Sequence, residues 1–139
     1  MREILFQGKR VDNGEWTYGY YVKADYHWHK HGIHKDWIIC GAGANGGWFV
    51  LHEKHAVIPS TIGQYTGKVV KTGKVFDGDI GKSIDGIFLV CWDDEKAAFV
   101  MRFNEYPYET LYLEEMWDDA EIIGNIHDNP ELLGGNNEV

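Results

Sequence analysis

Cysteine and serine are scarce in this chain, and each scarcity closes a class of function. Only two cysteines occur, Cys40 and Cys91, too few for a disulfide scaffold. Each sits in an apolar run, Trp37-Ile38-Ile39-Cys40 and Leu89-Val90-Cys91-Trp92, where a buried, reduced thiol is expected. The serines, Ser60 and Ser83, lie outside any nucleophile-elbow context. No segment approaches the roughly 20 consecutive apolar residues of a membrane span. The opening Met1-Arg2-Glu3-Ile4-Leu5-Phe6 is charged early and has no small-residue cleavage site, so no secretory signal is expected. These features together point to a protein of the cytosol. Basic residues nearly vanish from the second part of the chain. Residues 83–139 hold Lys96 and Arg102 against fourteen acidic residues, a balance of −12, whereas residues 1–82 hold eleven basic against eight acidic, a balance of +3. Duplex DNA, which requires clustered lysine and arginine, is a disfavoured ligand. An acidic face of this kind either keeps a protein soluble or pairs with a basic partner, including the basic half of a second copy.

What the chain has in quantity is aromatic and apolar residues. Hydrophobic residues make up 44% and aromatics 14% of the 139 residues, far too many for disorder and enough for one domain with an ordinary core. Seventeen glycines against three prolines favour strands joined by tight turns. A strand over Glu3–Gln7 leads into Asn13-Gly14, a strong hairpin signal. The return strand places Trp16, Tyr18, Tyr20 and Val22 on one face at period two. Asp25–Asp36 reads as a polar loop or hairpin tip, and Trp37–Cys40 with Trp48–Leu51 as a hairpin around Gly41–Gly47. Ser60–Asp79 reads as a turn-rich centre. Ile87–Trp92 and Ala97–Phe103 are strands around the turn Asp93-Asp94-Glu95-Lys96. Thr110–Asp119 fits a strand or a helical turn. Glu121–Ile126 is a last strand, and a short helix is expected near Pro130, before a frayed tail over 134–139. The expected fold is mainly β, a small barrel or β-roll of short antiparallel strands with a short C-terminal helical turn.

Four segments carry a family resemblance. Residues 1–10 with Gly14-Glu15-Trp16 and Tyr18-Gly19 form the first. Thr61-Ile62-Gly63-Gln64-Tyr65-Thr66-Gly67 is the most specific block. Gly73-Lys74 with Phe76-Asp77-Gly78-Asp79-Ile80 is the third, and Glu121-Ile122-Ile123-Gly124-Asn125-Ile126-His127-Asp128-Asn129-Pro130-Glu131-Leu132-Leu133 the last. In this order they resemble the YopX family. Gln7 stands where an arginine is common and His127 where an aromatic is usual, while residues 25–54 match nothing in the pattern and read as a variable insertion. The resemblance implies a mainly-β fold with an SH3-like barrel component, phage or prophage origin, self-association, and no catalytic residues to carry over. Gln64, Tyr65, Thr66, Asp79 and Asn125 are the block residues that suit a shared interaction surface. The same residues also suit turns whose side chains tie back to the backbone.

For chemistry, the histidines stand out. His27, His29, His31 and His34 lie within eight residues, and alternation at 27, 29 and 31 places three imidazoles on one strand face, a spacing able to chelate a first-row metal. His52 and His55 can approach from the next strand. The plainer readings are a solvated loop, adventitious nickel or zinc binding, or a surface that charges near pH 6. No cofactor is otherwise indicated. Asp93-Asp94-Glu95, Glu114-Glu115 and Asp118-Asp119 are adjacent carboxylates rather than a two-metal set drawn from separate elements, and Gly41–Gly47 lacks the Lys-Ser/Thr ending of a phosphate loop. The expected function is therefore a non-enzymatic phage accessory protein that binds proteins: itself, and a host or phage partner, with no membrane. The alternative is a nucleic-acid-related module. It would contact a single strand through aromatics such as Tyr65 beside Lys68, Lys71 and Lys74, or act as an acidic DNA mimic. A metal-dependent enzyme at the histidine cluster is the third reading.

Overall fold

The computed structural model describes residues 3–28, 32–45, 48–103, 110–116 and 119–134; at 24–28, 32–33, 41–45 and 48–52 it describes the backbone alone. The chain forms two compact units, Met1–Gln64 and Tyr65–Val139. Regular structure among the described residues consists of strands and three short 3-10 turns.

The first unit is an antiparallel sheet of β1 (Phe6–Lys9), β2 (Trp16–Trp28), β3 (Gly32–Asn45) and β4 (Trp48–Ala56), in the spatial order β4-β3-β2-β1. Gly63 and Gln64, the first residues of β5 (Gly63–Val70), pair with β1. The β1–β2 turn follows from its sequence: Gly14 takes φ 72°, its N–H donates to the Arg10 carbonyl at 3.0 Å, and the Asn13 side chain accepts from Glu15 N. β2 and β3 run for 13 and 14 residues, so much of the polar stretch Asp25–Asp36 is strand rather than loop. Backbone pairing to the neighbouring strand overrides the low β-propensity of its charged residues. The bonded register sets Thr17, Ile38 and Val57 on the buried side, and Ile38 and Val57 are fully buried. Gly19 is obligatory there, because a Cβ would lie 2.1 Å from the Ile39 carbonyl oxygen. Beyond β4, Pro59–Thr61 forms a 3-10 turn. The Thr61 hydroxyl donates to the Ile58 carbonyl and accepts from Lys9 N, fastening the turn to β1.

In the second unit the remainder of β5 pairs with β6 (Gly73–Phe76), so the turn-rich centre contains a hairpin, its turn made possible by Gly73 at φ 125°. A five-stranded antiparallel sheet follows, from β7 (Asp79–Ser83), β8 (Gly86–Asp93), β9 (Ala98–Phe103), β10 (Thr110–Tyr112) and β11 (Glu121–Asn125), ordered β10-β9-β8-β7-β11. The ambiguous segment after Thr110 resolves into a three-residue strand and a 3-10 turn at Leu113–Glu115. Pro130–Leu133 is the expected short helical turn, with Pro130 in its first position. Val70, Val75, Phe88, Val90, Met101, Leu113, Met116 and Ala120 form the core. Phe88 reaches full burial by lying over Gly81, its cross-strand partner, where a Cβ would come within 2.4 Å of the ring.

The expected small barrel is corrected to open sheets among the described residues. Closure needs the edge strands β10 and β11 to pair, yet among the described residues β10 pairs with β9 and β11 with β7, with no ladder between the two.

Candidate functional site

Three of the five residues singled out in the family blocks, Thr66, Asp79 and Asn125, are spent on holding turns. Asp79 is 7% exposed, and its Oδ2 accepts a 2.8 Å bond from Phe76 N across the β6–β7 turn. Gly78, at φ 98°, completes that turn by donating to the Val90 carbonyl and accepting from Ile126 N. Burial pushes the Asp79 carboxyl up to about 7, against the opposing pull of the Phe76 N–H, while neighbouring Asp77 raises it further. Asp77 is itself raised by burial, with His127 acting against the shift. Asn125 Oδ1 accepts from His127 N and Asp128 N, at 3.0 and 2.9 Å, and its amide reaches Asp128. This is an Asx-type turn at the end of β11. The Thr66 hydroxyl donates to the Val75 carbonyl at 2.8 Å and accepts from Lys68 N, bracing the β5–β6 hairpin. Gln64 pairs through its backbone with Phe6.

Tyr65 is 6% exposed, packed against Phe76 with Lys74 Nζ 5.8 Å from its ring centroid. A nucleic-acid base has no face of this ring to stack on, and Lys71 lies 3.5 Å from Glu121. The single-strand reading therefore loses its named platform, because the cross-strand contact with Phe76 draws Tyr65 inward.

Of the four histidines in the cluster, His29 and His31 lie outside the described residues, and His27 is described in its backbone alone, paired with Ile33. The His34 ring meets Trp37 edge-on, and its carbonyl accepts from the Trp37 indole at 3.1 Å. The four-histidine set is thus described only at this one side chain.

A different grouping was not legible from spacing. Cys40, Glu53 and His55 place one sulfur, one carboxylate oxygen and one imidazole nitrogen all within 4.8 Å of one another. Cys40 was expected to be buried in its apolar run, but it is exposed. A β-bulge falls at this position: Ile39 pairs with Lys54 and Gly41 with Glu53, leaving Cys40 as the extra residue of β3. Glu53 and His55 share one face of β4 by period two, and His55 Nε2 lies 3.0 Å from Glu53 Oε2. The Thr17 hydroxyl sits 3.0 Å from the Cys40 sulfur. Arg10, which bonds Asp12 twice at 2.9 and 2.7 Å, lies near enough to feel Cys40, and Asp12 near enough to feel His55. The E-x-H pair on a strand was the available signal; the register that adds Cys40 was not.

A family model described as YopX protein matches residues 7–134. The chain belongs to the YopX family. No curated protein matches it. The four blocks that resemble YopX each fall on a structural device here: the Asn13-Gly14 turn, the Thr61 fastening, the Asp79 turn and the Asn125 turn. Cys40, Glu53 and His55 all fall within the matched residues. No helix among the described residues is long and apolar enough to cross a membrane.

Proposed function

We propose that this YopX protein is a non-enzymatic phage or prophage accessory protein of the host cytoplasm, which acts through protein contacts and self-associates. The observation that carries this reading is the outer face of β2. Tyr18, Tyr20 and Val22 recur there at period two and are 49, 65 and 36% exposed. Exposed aromatics aligned along a strand are the composition of an interaction surface. The charge asymmetry between residues 1–82 and 83–139 gives a second copy a complementary surface. The family blocks point the same way, since their side chains serve turns rather than a reaction.

Sedimentation or light scattering over a range of protein and salt concentrations tests it. Wild-type protein is expected to exceed the monomer mass, and Tyr20→Glu combined with Val22→Lys to return it to monomer. Persistence of the oligomer at high salt assigns the contact to the apolar stripe, and dissociation by salt assigns it to opposed charges. A monomer under every condition overturns self-association.

A further inference from the structure

We propose that Cys40, Glu53 and His55 form a binding site for a divalent transition metal of the zinc class. Their donor atoms converge: sulfur, nitrogen and oxygen each lie within 4.8 Å of the other two. That arrangement separates a metal site from a nucleophilic relay. In a relay the imidazole stands between thiol and carboxylate, bonding each through a different ring nitrogen, which holds sulfur and oxygen roughly 7 Å apart. Three donors around a common point are instead what a tetrahedral ion takes, with its fourth position left to water or to a group from a bound partner. The ligand types agree, since a thiolate with an imidazole and a carboxylate suits zinc better than calcium or magnesium.

The surroundings supply two further requirements. Metal binding deprotonates Cys40, its proton passing to solvent, and the resulting thiolate is within 3.0 Å of the Thr17 hydroxyl, which can donate to it. Arg10 would oppose a cation, but Asp12 takes its charge through two bonds. With those two cancelling, a thiolate and a carboxylate leave two negative charges for a divalent ion. The pairs Ile38–His55 and Ile39–Lys54 carry the β3–β4 register up to Cys40, next to Glu53 on the adjoining strand, and this register brings the three residues together. This site is distinct from the four-histidine run, to which His55 and Cys40 do not belong.

Titration of the untagged full chain with cobalt(II) tests the site, because a cysteine ligand produces a sulfur-to-metal charge-transfer band that histidines alone do not. The band is expected at one equivalent in wild type and in Cys91→Ser, to be absent in Cys40→Ser, and to be bleached by added zinc. Thr17→Val is expected to keep the band while weakening affinity on the order of tenfold. Circular dichroism of Cys40→Ser and Thr17→Val, matching wild type, separates ligand loss from misfolding. If Cys40→Ser misfolds, Glu53→Gln is read in its place and is expected to weaken affinity on the order of tenfold or more. Absence of the charge-transfer band in wild type, its persistence in Cys40→Ser, or its loss in Cys91→Ser overturns the assignment.

Discussion

Replacing Asp79 with asparagine removes the titration of a buried carboxyl while keeping its shape and an oxygen for Phe76 N. In the folded chain this carboxyl is raised from 3.8 to about 7, chiefly by burial. The folded state therefore holds the proton more tightly than the unfolded state. The stability this contributes is fully present below pH 3.8, falls as the pH rises, and is lost through about pH 7. At 1.36 kcal/mol per unit, a shift of that size corresponds to about 4 kcal/mol at most, and relaxation around the charge reduces what is realised. Urea denaturation of wild type and Asp79→Asn at a series of pH values between 4 and 8 reads the effect. The variant is expected to match wild type near pH 4, to become more stable by a few kcal/mol at pH 8, and to show a flatter profile between. Asp77, raised in the same direction, stays in both proteins, and because its charge also raises Asp79 the difference between the two profiles includes that interaction. Parallel profiles for the two proteins would refute a raised Asp79. A variant destabilised at every pH would show instead that the native charge is needed in the turn.

Four other substitutions probe the fold by the same denaturation assay. Gly81→Ala puts a methyl within 2.4 Å of the Phe88 ring and is expected to cost roughly 1–3 kcal/mol by overpacking; an unchanged midpoint would show that Phe88 does not cover Gly81. Asn125→Ala removes the acceptor of His127 N and Asp128 N and should cost about 1 kcal/mol. Ala97, at φ 51° in the β8–β9 turn, is the reverse case: Ala97→Gly relieves a left-handed alanine and should stabilise by about 1 kcal/mol. Arg102→Gln breaks an exposed pair with Asp93 and is expected to leave the midpoint almost unchanged, because solvent screens such pairs; a clear loss would mean the pair is coupled to the sheet beneath it.

Much of the strand pattern was legible because it depends on short-range rules. Asn13-Gly14 forms its turn from residues that tolerate positive φ, and Pro130 opens its helical turn because it needs no amide partner there. The alternation of Trp16, Tyr18, Tyr20 and Val22 marked a face of β2, but alternation cannot say which side is inside. Packing decided that Thr17 and Ile38 point inward and that Tyr20 stays outside. Tyr65 shows the same limit from the other direction. Its immediate neighbours, Gln64 and Thr66, are polar, and it is buried in cross-strand pairing with Phe76.

By itself, then, the sequence determined the β class, the turns, the family and the absence of a long apolar run, all of which rest on composition or on residues a few positions apart. Tertiary structure decided that the edge strands do not close a barrel and that Asp79, Thr66 and Asn125 spend their polar groups on turns. It also brought Cys40 to residues 13 and 15 positions away. Strand register, set by main-chain hydrogen bonds, chooses which distant side chains meet. A linear pattern of residues carries no record of that choice.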